Sequence, residues 1–262
     1  MVAWYPLDEL TGTTSANLAS GNTGLQVNGP LGIPDGIVAG AAHFDGFSQY
    51  ISSPSTISTN FGYTECGKQG AFSSCPPDFS IDVWVRVPAY VLQQVNEMVI
   101  VDHRGGGGNS LKGYSFFLDT EPFSLSVKMG LQMADGGSAP GYSNYFSPDF
   151  PLAQICPPIF CDVWHHLAVT VQRTKPQGIT WYVDGSCLGG STCTTSNPTD
   201  REGSLVTFRA LYIGTNSPVA TPPQGYYSGD LDELEIHNRV LAPQEISAIY
   251  NSGFYEGGKC KP

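Results

Sequence analysis

Positive charge is scarce in this sequence. The 262 residues include 12 lysines and arginines against 23 aspartates and glutamates, which gives a formal net charge of −11. A chain with this balance lacks the cationic surface that nucleic acids and anionic membranes attract. Apolar runs of transmembrane length are also missing from the sequence. We therefore expect neither a nucleic-acid partner nor membrane insertion.

Charged residues of both signs are few, at 13% of the chain, whereas glycine and proline are abundant with 31 and 20 residues. This composition is typical of many short strands joined by turns, with few surface helices. The chain is long for one average domain, but all-β sandwiches reach this size as a single unit. Since no internal repeat or linker divides the sequence, we expect one domain over residues 1–262.

The seven cysteines lack the CxxC spacing of a zinc site. Three short-range disulfides are our first interpretation of the pairs that lie close in the sequence, and unrelated buried thiols are the alternative. Disulfides imply an oxidising compartment, so we expect an extracellular, secreted or cell-surface protein. Cys260 is left over, either free or available for self-association. The close pairs are Cys66 and Cys75, Cys156 and Cys161, and Cys187 and Cys193.

The stretch 229–250 (GDLDELEIHNRVLAPQEISAIY) combines two patterns. Leu234 and Ile236 alternate with polar residues, as in a strand with one wet face. Leu231 is out of phase with them, which predicts a β-bulge near Asp232. The apolar residues after Pro243 then recur at helical spacing. The stretch therefore predicts a strand that leads into a single late helix.

Three other segments also predict strands and turns. Residues 79–87 (FSIDVWVRV) alternate strictly between an apolar face and a face that carries Trp84. Residues 163–172 (VWHHLAVTVQ) alternate too, and they are followed by 178–185 (GITWYVDG), which ends in an Asp-Gly turn signal. A second Asp-Gly turn follows the short strand in 41–46 (AAHFDG).

The order of these motifs resembles that of LamG-like, concanavalin A-like jelly-roll domains. The shared motifs are an aromatic-Pro-Leu-acid start, Phe-Asp-Gly, WHHLAV followed by WYVDG, LYIG, and the closing strand with its helix; they extend from Trp4 to Tyr250. The resemblance implies an all-β fold, an antiparallel β-sandwich of two sheets with one short C-terminal helix. This sandwich hosts lectins, hormone binders, adhesion modules and glycosidases, so the fold alone does not determine the function.

The resemblance also implies one structural Ca²⁺ at the rim of the sandwich, between the Phe-Asp-Gly turn and the closing strand. Asp45 and Asp232 would supply carboxylates, with Asp230 as a third ligand. Backbone carbonyls of Gly40 and Gly46 would complete the oxygen ligands that calcium prefers. In the alternative interpretation, Asp45 caps a turn and Asp232 binds backbone amides at the bulge.

Residues 230–235 (DLDELE) are also similar to the Glu-x-Asp-x-(x)-Glu strand of β-glucanases. The sequence departs from that pattern, because Asp230 stands at the nucleophile position and Glu233 stands where an apolar residue belongs. A β-glucan hydrolase is therefore our third hypothesis, and we expect no catalytic residues. His165 and His166 face opposite sides of one strand, and we expect them to pack rather than bind metal.

Aromatic residues outside the core pattern are candidate ligand contacts, since flat rings stack on sugar faces. They are Tyr142, Tyr145 and Phe146 in a predicted polar loop over 134–149, Tyr226 and Tyr227 before the closing strand, and Trp84. The alternative for Trp84 is that it fills or covers the sandwich core. Our first hypothesis is a non-catalytic extracellular recognition module, foremost for carbohydrate. Our second is a structural or adhesive protein that binds an extracellular protein or its own copies.

Overall fold

Two antiparallel β-sheets pack around one hydrophobic core in the computed structural model of the chain. The structure describes residues 1–54, 59–61, 78–88, 91, 97–121, 126–137, 139–151, 163–216 and 225–256. The predicted all-β sandwich is confirmed. Among the described residues, no helix has the length and apolar character needed to cross a membrane.

Within the described residues, the elements are strands of two to ten residues and one late α-helix. They are β1 Ala3–Tyr5, β2 Thr14–Ala16, β3 Thr23–Val27, β4 Leu31–Ile33, β5 Ala41–Asp45, β6 Tyr50–Ser53, β7 Phe79–Arg86, β8 Glu97–Asp102, β9 Lys112–Glu121, β10 Ser126–Asp135, β11 Tyr142–Phe146, β12 Phe150–Pro151, β13 His165–Val171, β14 Ile179–Val183, β15 Ser186–Cys187, β16 Thr195–Ser196, β17 Leu211–Ile213, β18 Ser228–His237 and α1 Pro243–Glu256.

The first sheet has the order β15-β14-β13-β7-β18-β5-β4, with β1 paired to β18 and β16 paired to β14. The second sheet has the order β11-β10-β9-β8-β17-β6-β3-β2, with β12 paired to β10. Strands from the two ends of the chain meet in the first sheet, because β1 pairs with β18, which itself lies between β7 and β5. The closing strand therefore has a central position. It is buried on both faces, so the solvent-exposed face predicted from its alternation is wrong.

The alternation of β7 decides which of its side chains enter the core. Phe79, Ile81 and Val83 belong to the core between the sheets and are fully buried. Asp82 and Trp84 point to the opposite face, yet they are also buried, at 1% and 2% exposure. Since strand side chains alternate between faces, another element must cover this outer face.

Helix α1 covers the outer face of the first sheet. Ile246 of the helix packs with Ala168 and Tyr182 of the sheet in a second apolar cluster. Tyr250 stacks on Trp84, with ring centroids 5.5 Å apart and planes inclined by 20°. The single late helix predicted from the sequence is confirmed, and its apolar stripe packs on a sheet.

The predicted bulge near Asp232 is present in β18. The register with β7 shifts between Asp232 and Glu235, and Glu233 has a positive φ of 51°. Trp4 of β1 donates its indole N–H to a Glu233 carboxylate oxygen at 2.8 Å. The bulge therefore places two acidic residues, 232 and 233, in separate hydrogen-bonding environments.

Glu245 stabilises the start of α1 in a pH-dependent way. It accepts hydrogen bonds from Arg239 and from the backbone N–H of Ala242, and these contacts lower the pKa of Glu245 to about 2. A lowered pKa stabilises the fold above the ordinary value of 4.5, and the contribution is lost as pH falls toward about 2. In an acid titration followed by circular dichroism, the unmodified protein should therefore lose stability as the pH falls from 4.5 toward about 2. Glu245→Gln should lose less stability over the same pH range. An unchanged titration would contradict the assignment.

One disulfide is present in the described part of the chain, between Cys187 and Cys193. Their separation along the sequence is 6 residues, as the predicted short-range pair requires. The other two predicted pairs, Cys66 with Cys75 and Cys156 with Cys161, lie outside the described residues, as does Cys260. Those cysteine assignments stay predictions.

Candidate functional site

Residues 142–146 form an edge strand, β11, rather than the polar loop predicted from the sequence. Tyr142, Asn144 and Phe146 point outward and are exposed, whereas Tyr145 points inward and is buried. Tyr142 and Phe146 are 37% and 40% exposed. Outward side chains on one strand repeat every roughly 6.5 Å. An amide side chain therefore lies between two aromatic rings on the outer face of the second sheet.

The neighbouring strand β10 adds an amide and a gap beside this row. Gln132 is opposite Asn144 in register and donates to its side-chain oxygen at 2.7 Å. Gly130 is opposite Phe146 and carries no side chain. Phe117 of β9 fills the space above this glycine, because a Cβ on Gly130 would lie 2.2 Å from the Phe117 ring.

Phe117 and Phe146 form an edge-to-face pair, with centroids 6.1 Å apart and planes at 85°. Phe117 is 4% exposed, so it supports Phe146 from below. Edge-to-face pairs stabilise by about 0.5–1.5 kcal/mol beyond the area that they bury. The orientation of Phe146 is therefore held by the sheet rather than left to a mobile side chain.

Arg104 borders the row and is held by its neighbours. Its guanidinium contacts the side-chain oxygen of Gln132 and the carboxylate of Asp102, with Nε at 2.8 Å from Asp102 Oδ2. Burial raises the pKa of Asp102, although Arg104 opposes that shift. We call Arg104, Gln132, Tyr142, Asn144 and Phe146 the β11 face. It presents amide donors and acceptors beside rigid rings, and its one cation has a carboxylate partner.

A depression of about 530 Å³ lies beside the β11 face, between the 105–112 loop and residues 206–209. Lys112 and Arg209 line it, together with Phe208, whose side chain is 93% exposed. Sequence reasoning missed this feature and the amides of the β11 face. The only signal in the sequence was the run of glycines 105–108. Such a run indicates a loop, but it does not indicate which distant segment lies next to that loop.

Three of the six predicted ligand contacts are buried. Trp84 is 2% exposed beneath α1, and Tyr227 is 0% exposed with its hydroxyl donated to the Asp230 carbonyl at 3.2 Å. Tyr145 is 7% exposed and donates its hydroxyl to Asp200 at 2.5 Å. Burial and the Asp200 carboxylate both raise the pKa of Tyr145. These three rings stabilise the fold and leave almost no surface for a ligand.

Tyr226 stays partly exposed, but it lies apart from the β11 face. Burial and the nearby hydroxyl of Tyr50 raise the pKa of Tyr226. Tyr50 belongs to β6, and four strands separate β6 from β11 in the second sheet. The structure thus brings Tyr142 and Phe146 together and places Tyr226 elsewhere.

Asp45 has the hydrogen bonds of a turn cap. Its Oδ1 accepts from the N–H groups of Phe47, Ser48 and Gln49 at 2.8, 2.9 and 3.2 Å, and its Oδ2 accepts from the Ser48 hydroxyl. Although partial burial opposes the effect, these bonds lower the pKa of Asp45. Gly46 of the predicted calcium set belongs to the same turn and has a φ of 77°. Cation ligation would have to compete with all of these donors.

Asp232 lies far from Asp45. Since Asp45 is opposite Ser228 in register, Asp232 is displaced by four residues, or roughly 13 Å. The Oδ2 of Asp232 accepts from the N–H groups of Ile37 and Val38 at 2.7 and 3.0 Å. Its Oδ1 is buried and has no hydrogen-bond partner within the described parts of the chain. One ion would not contact both carboxylates.

The surroundings of Asp232 favour a cation more than those of Asp45. Burial, together with the carboxylates of Glu233 and Asp8, raises the pKa of Asp232 to about 8. The Gly40 N–H donates to Asp8 Oδ1 at 2.9 Å, so this glycine belongs to the Asp232 side. Asp230, the third predicted ligand, is paired with Arg86 and His43, each at 2.7 Å.

The acids of the glucanase-like stretch are all buried on the outer side of the first sheet. Asp230, Asp232, Glu233 and Glu235 are 8%, 0%, 2% and 2% exposed. Retaining glycosidases need two carboxyl groups about 5 Å apart on either side of an accessible bond. These acids instead contact Arg86, loop amides, Trp4 and His237. Their geometry does not support the glucanase mechanism.

Comparison with known proteins agrees with the fold. A family model described as the concanavalin A-like lectin/glucanases superfamily matches residues 45–247. No curated protein matches the sequence.

Several solved structures are similar to this one. The binding domain of Paraclostridial Mosquitocidal Protein 1 has a TM-score of 0.67 and 15% identity over 97% of this chain and 52% of its own. The botulinum neurotoxin serotype D ligand binding domain, in complex with N-acetylneuraminic acid, has a TM-score of 0.64 and 8% identity over 96% and 50%. The serotype G binding domain has a TM-score of 0.64 and 13% identity over 95% and 50%. The chain spans about half of each of these structures, and the similarity shows the fold alone.

Proposed function

Because the chain belongs to the concanavalin A-like lectin/glucanases superfamily, we propose that it is a non-catalytic recognition module that binds carbohydrate on the β11 face. The proposal includes a secreted or cell-surface location. The Cys187–Cys193 disulfide supports this location, since such bonds persist in oxidising compartments. One similar structure contains bound N-acetylneuraminic acid, and carbohydrate is the ligand class that we propose here.

The row Tyr142, Asn144 and Phe146 is the observation that carries this proposal. Two exposed rings on one edge strand offer flat apolar surfaces to the C–H faces of sugars. The amides of Asn144 and Gln132 between them supply donors and acceptors for hydroxyl groups. Since Arg104 is already paired with Asp102, the face has little uncompensated charge. This balance favours neutral sugars over strongly anionic ones.

Tyr142→Ala and Phe146→Ala should each weaken glycan binding at least tenfold, because each removes a ring that stacks on the ligand. A glycan array would identify a ligand for the unmodified protein, and calorimetry would then compare the variants. Phe47→Ala is the matched control, since Phe47 is 82% exposed on the turn after β5. Equal binding by all three variants would contradict the assignment of the β11 face, and silence of the array would contradict carbohydrate recognition.

A protein-binding or self-associating role is the second candidate, and Phe208 favours it. Phe208 is 93% exposed, and a partner that covers it would remove its apolar surface from water. If the second candidate is correct, sedimentation of the unmodified protein should show concentration-dependent association that Phe208→Ser abolishes. A monomer at all concentrations would contradict self-association.

The calcium proposal is retained only for the Asp232 side of the predicted set. Asp232 and Asp8 would hold the ion, and their carboxylates would then be compensated by its charge. Its effect would be a structural clamp between the first residues of the chain and β18. In thermal melts, calcium should raise the melting temperature of the unmodified protein and of Asp45→Asn, but not of Asp232→Asn. Insensitivity of the unmodified protein to calcium and EDTA would exclude the ion.

A further inference from the structure

Four titratable side chains meet on the outer face of the first sheet, near the start of helix α1. Asp82 belongs to β7, His166 to β13, and Glu235 and His237 to β18. Glu235 is directly opposite Asp82 in register, and the three strands are adjacent in the sheet. Three central strands thus bring two carboxylates and two imidazoles to one place.

We propose that Asp82, Glu235 and His237 bind a divalent transition-metal ion of the zinc class, and that His166 orients Asp82. One possible ligand atom from each of the three residues lies within 4.8 Å of the other two. Imidazole nitrogen with carboxylate oxygen is a ligand set that zinc accepts. Water would take the fourth position of such a site, and the His237 side chain is 8% exposed.

The distances agree with a tetrahedral site. His237 Nε2 lies 3.3 Å from Asp82 Oδ2 and 3.0 Å from Glu235 Oε2. With bonds of about 2.0–2.2 Å, two ligand atoms of a tetrahedral zinc ion are about 3.3–3.6 Å apart. One ligand pair already has this spacing and the second is slightly closer. The ligand oxygens of Asp82 and Glu235, the third pair, lie within 4.8 Å of each other, so side-chain rotations would have to bring this pair to the same spacing.

Charge and burial also favour a divalent ion. The side chains of Asp82 and Glu235 are 1% and 3% exposed. Two buried carboxylates are costly unless positive charge compensates both. A divalent cation between Asp82, Glu235 and His237 would supply that positive charge. A metal ion accepts all three groups at once.

His166 contacts the proposed metal ligand Asp82 without being a metal ligand itself. Its Nε2 lies 3.4 Å from Asp82 Oδ1, the oxygen that does not face His237. Carboxylates that bind metals are usually held by such a second contact, and its loss weakens metal binding about 10–100-fold. His166 is itself fixed by packing, since it is fully buried beside Trp84. The sequence had suggested packing alone for this histidine.

The test is zinc binding to the full chain after it has been stripped with a chelator. We expect one zinc ion per chain by mass spectrometry. A melting temperature higher by roughly 5–10 °C is expected when zinc exceeds its Kd about 100-fold. Cobalt in place of zinc should give the visible absorption of a four-coordinate ion. Absence of stoichiometric zinc in the unmodified protein would overturn the proposal without any variant.

Variants then assign the ligands. His237→Gln should abolish stoichiometric binding, and His166→Gln should weaken it about 10–100-fold while the cobalt spectrum stays four-coordinate. His43→Gln is the matched control, because His43 is more exposed and contacts Asp230 outside the cluster. The proposal is wrong if His237→Gln binds zinc like the unmodified protein, or if His43→Gln removes the ion. Circular dichroism would establish that each variant is folded.

Discussion

Trp84→Ala should lower the free energy of unfolding by about 3–5 kcal/mol, the usual cost of deleting a buried large aromatic side chain. Trp84 is 2% exposed, its ring lies 5.5 Å from Tyr250 and 5.3 Å from His166, and it packs on Gly253 of α1. Its removal would leave a cavity between β7 and the helix. Urea denaturation would measure the loss. Glycan affinity should not change, because the β11 face belongs to the other sheet.

Trp164→Ala is the matched control for this substitution. Trp164 is only partly buried and contacts the Arg86 guanidinium at 4.8 Å. A cation–π contact at a partly exposed site contributes about 0.5–1 kcal/mol, so we expect a smaller loss here. If Trp84→Ala instead abolished glycan binding and left stability unchanged, Trp84 would be a ligand contact, as its strand face had suggested from the sequence.

Gly113→Ala should destabilise the protein by roughly 2–5 kcal/mol, because the backbone there leaves no room for a side chain. Gly113 has a φ of 118°, and an added Cβ would lie 1.9 Å from the carbonyl oxygen of His103. That oxygen belongs to backbone held by the pairing of β8 with β9, since the His103 N–H donates to Tyr114 at 2.8 Å. Either β9 or the 103–112 loop must move. Urea denaturation would quantify the loss.

Gly107→Ala provides the comparison within the same loop. Gly107 has a φ of −159°, which any residue adopts, and no atom lies within 4 Å of an added Cβ. This substitution should be neutral or slightly stabilising, since alanine restricts the unfolded chain more than glycine does. If Gly107→Ala and Gly113→Ala lowered the free energy of unfolding equally, a specific backbone clash at Gly113 would be contradicted.

Local pattern was sufficient for much of the fold. The strict alternation in β7, the out-of-phase Leu231 before the bulge, and the helical spacing after Pro243 are all confirmed. Each depends on residues two to four positions apart, whose directions follow from the geometry of one element. Short β11 was missed because its outward positions carry Asn144 between two aromatic residues, and this mixture has no polar–apolar period.

The sites depend on contacts between distant parts of the chain. Tyr142 and Phe146 lie together on one face because β11 pairs with β10, whose Gly130 leaves space for Phe117. Asp45 and Asp232 are separated because β5 and β18 pair in a register that places Ser228 opposite Asp45.

By itself, therefore, the sequence determined the all-β class, the order of the motifs and the late helix, since those follow from local periodicity. Only the tertiary structure decided that α1 buries Trp84, that Asp45 caps a turn, and that Asp82, Glu235 and His237 converge. The physical reason is that strand register and helix docking are set by burial across the whole core, and no short segment encodes them alone.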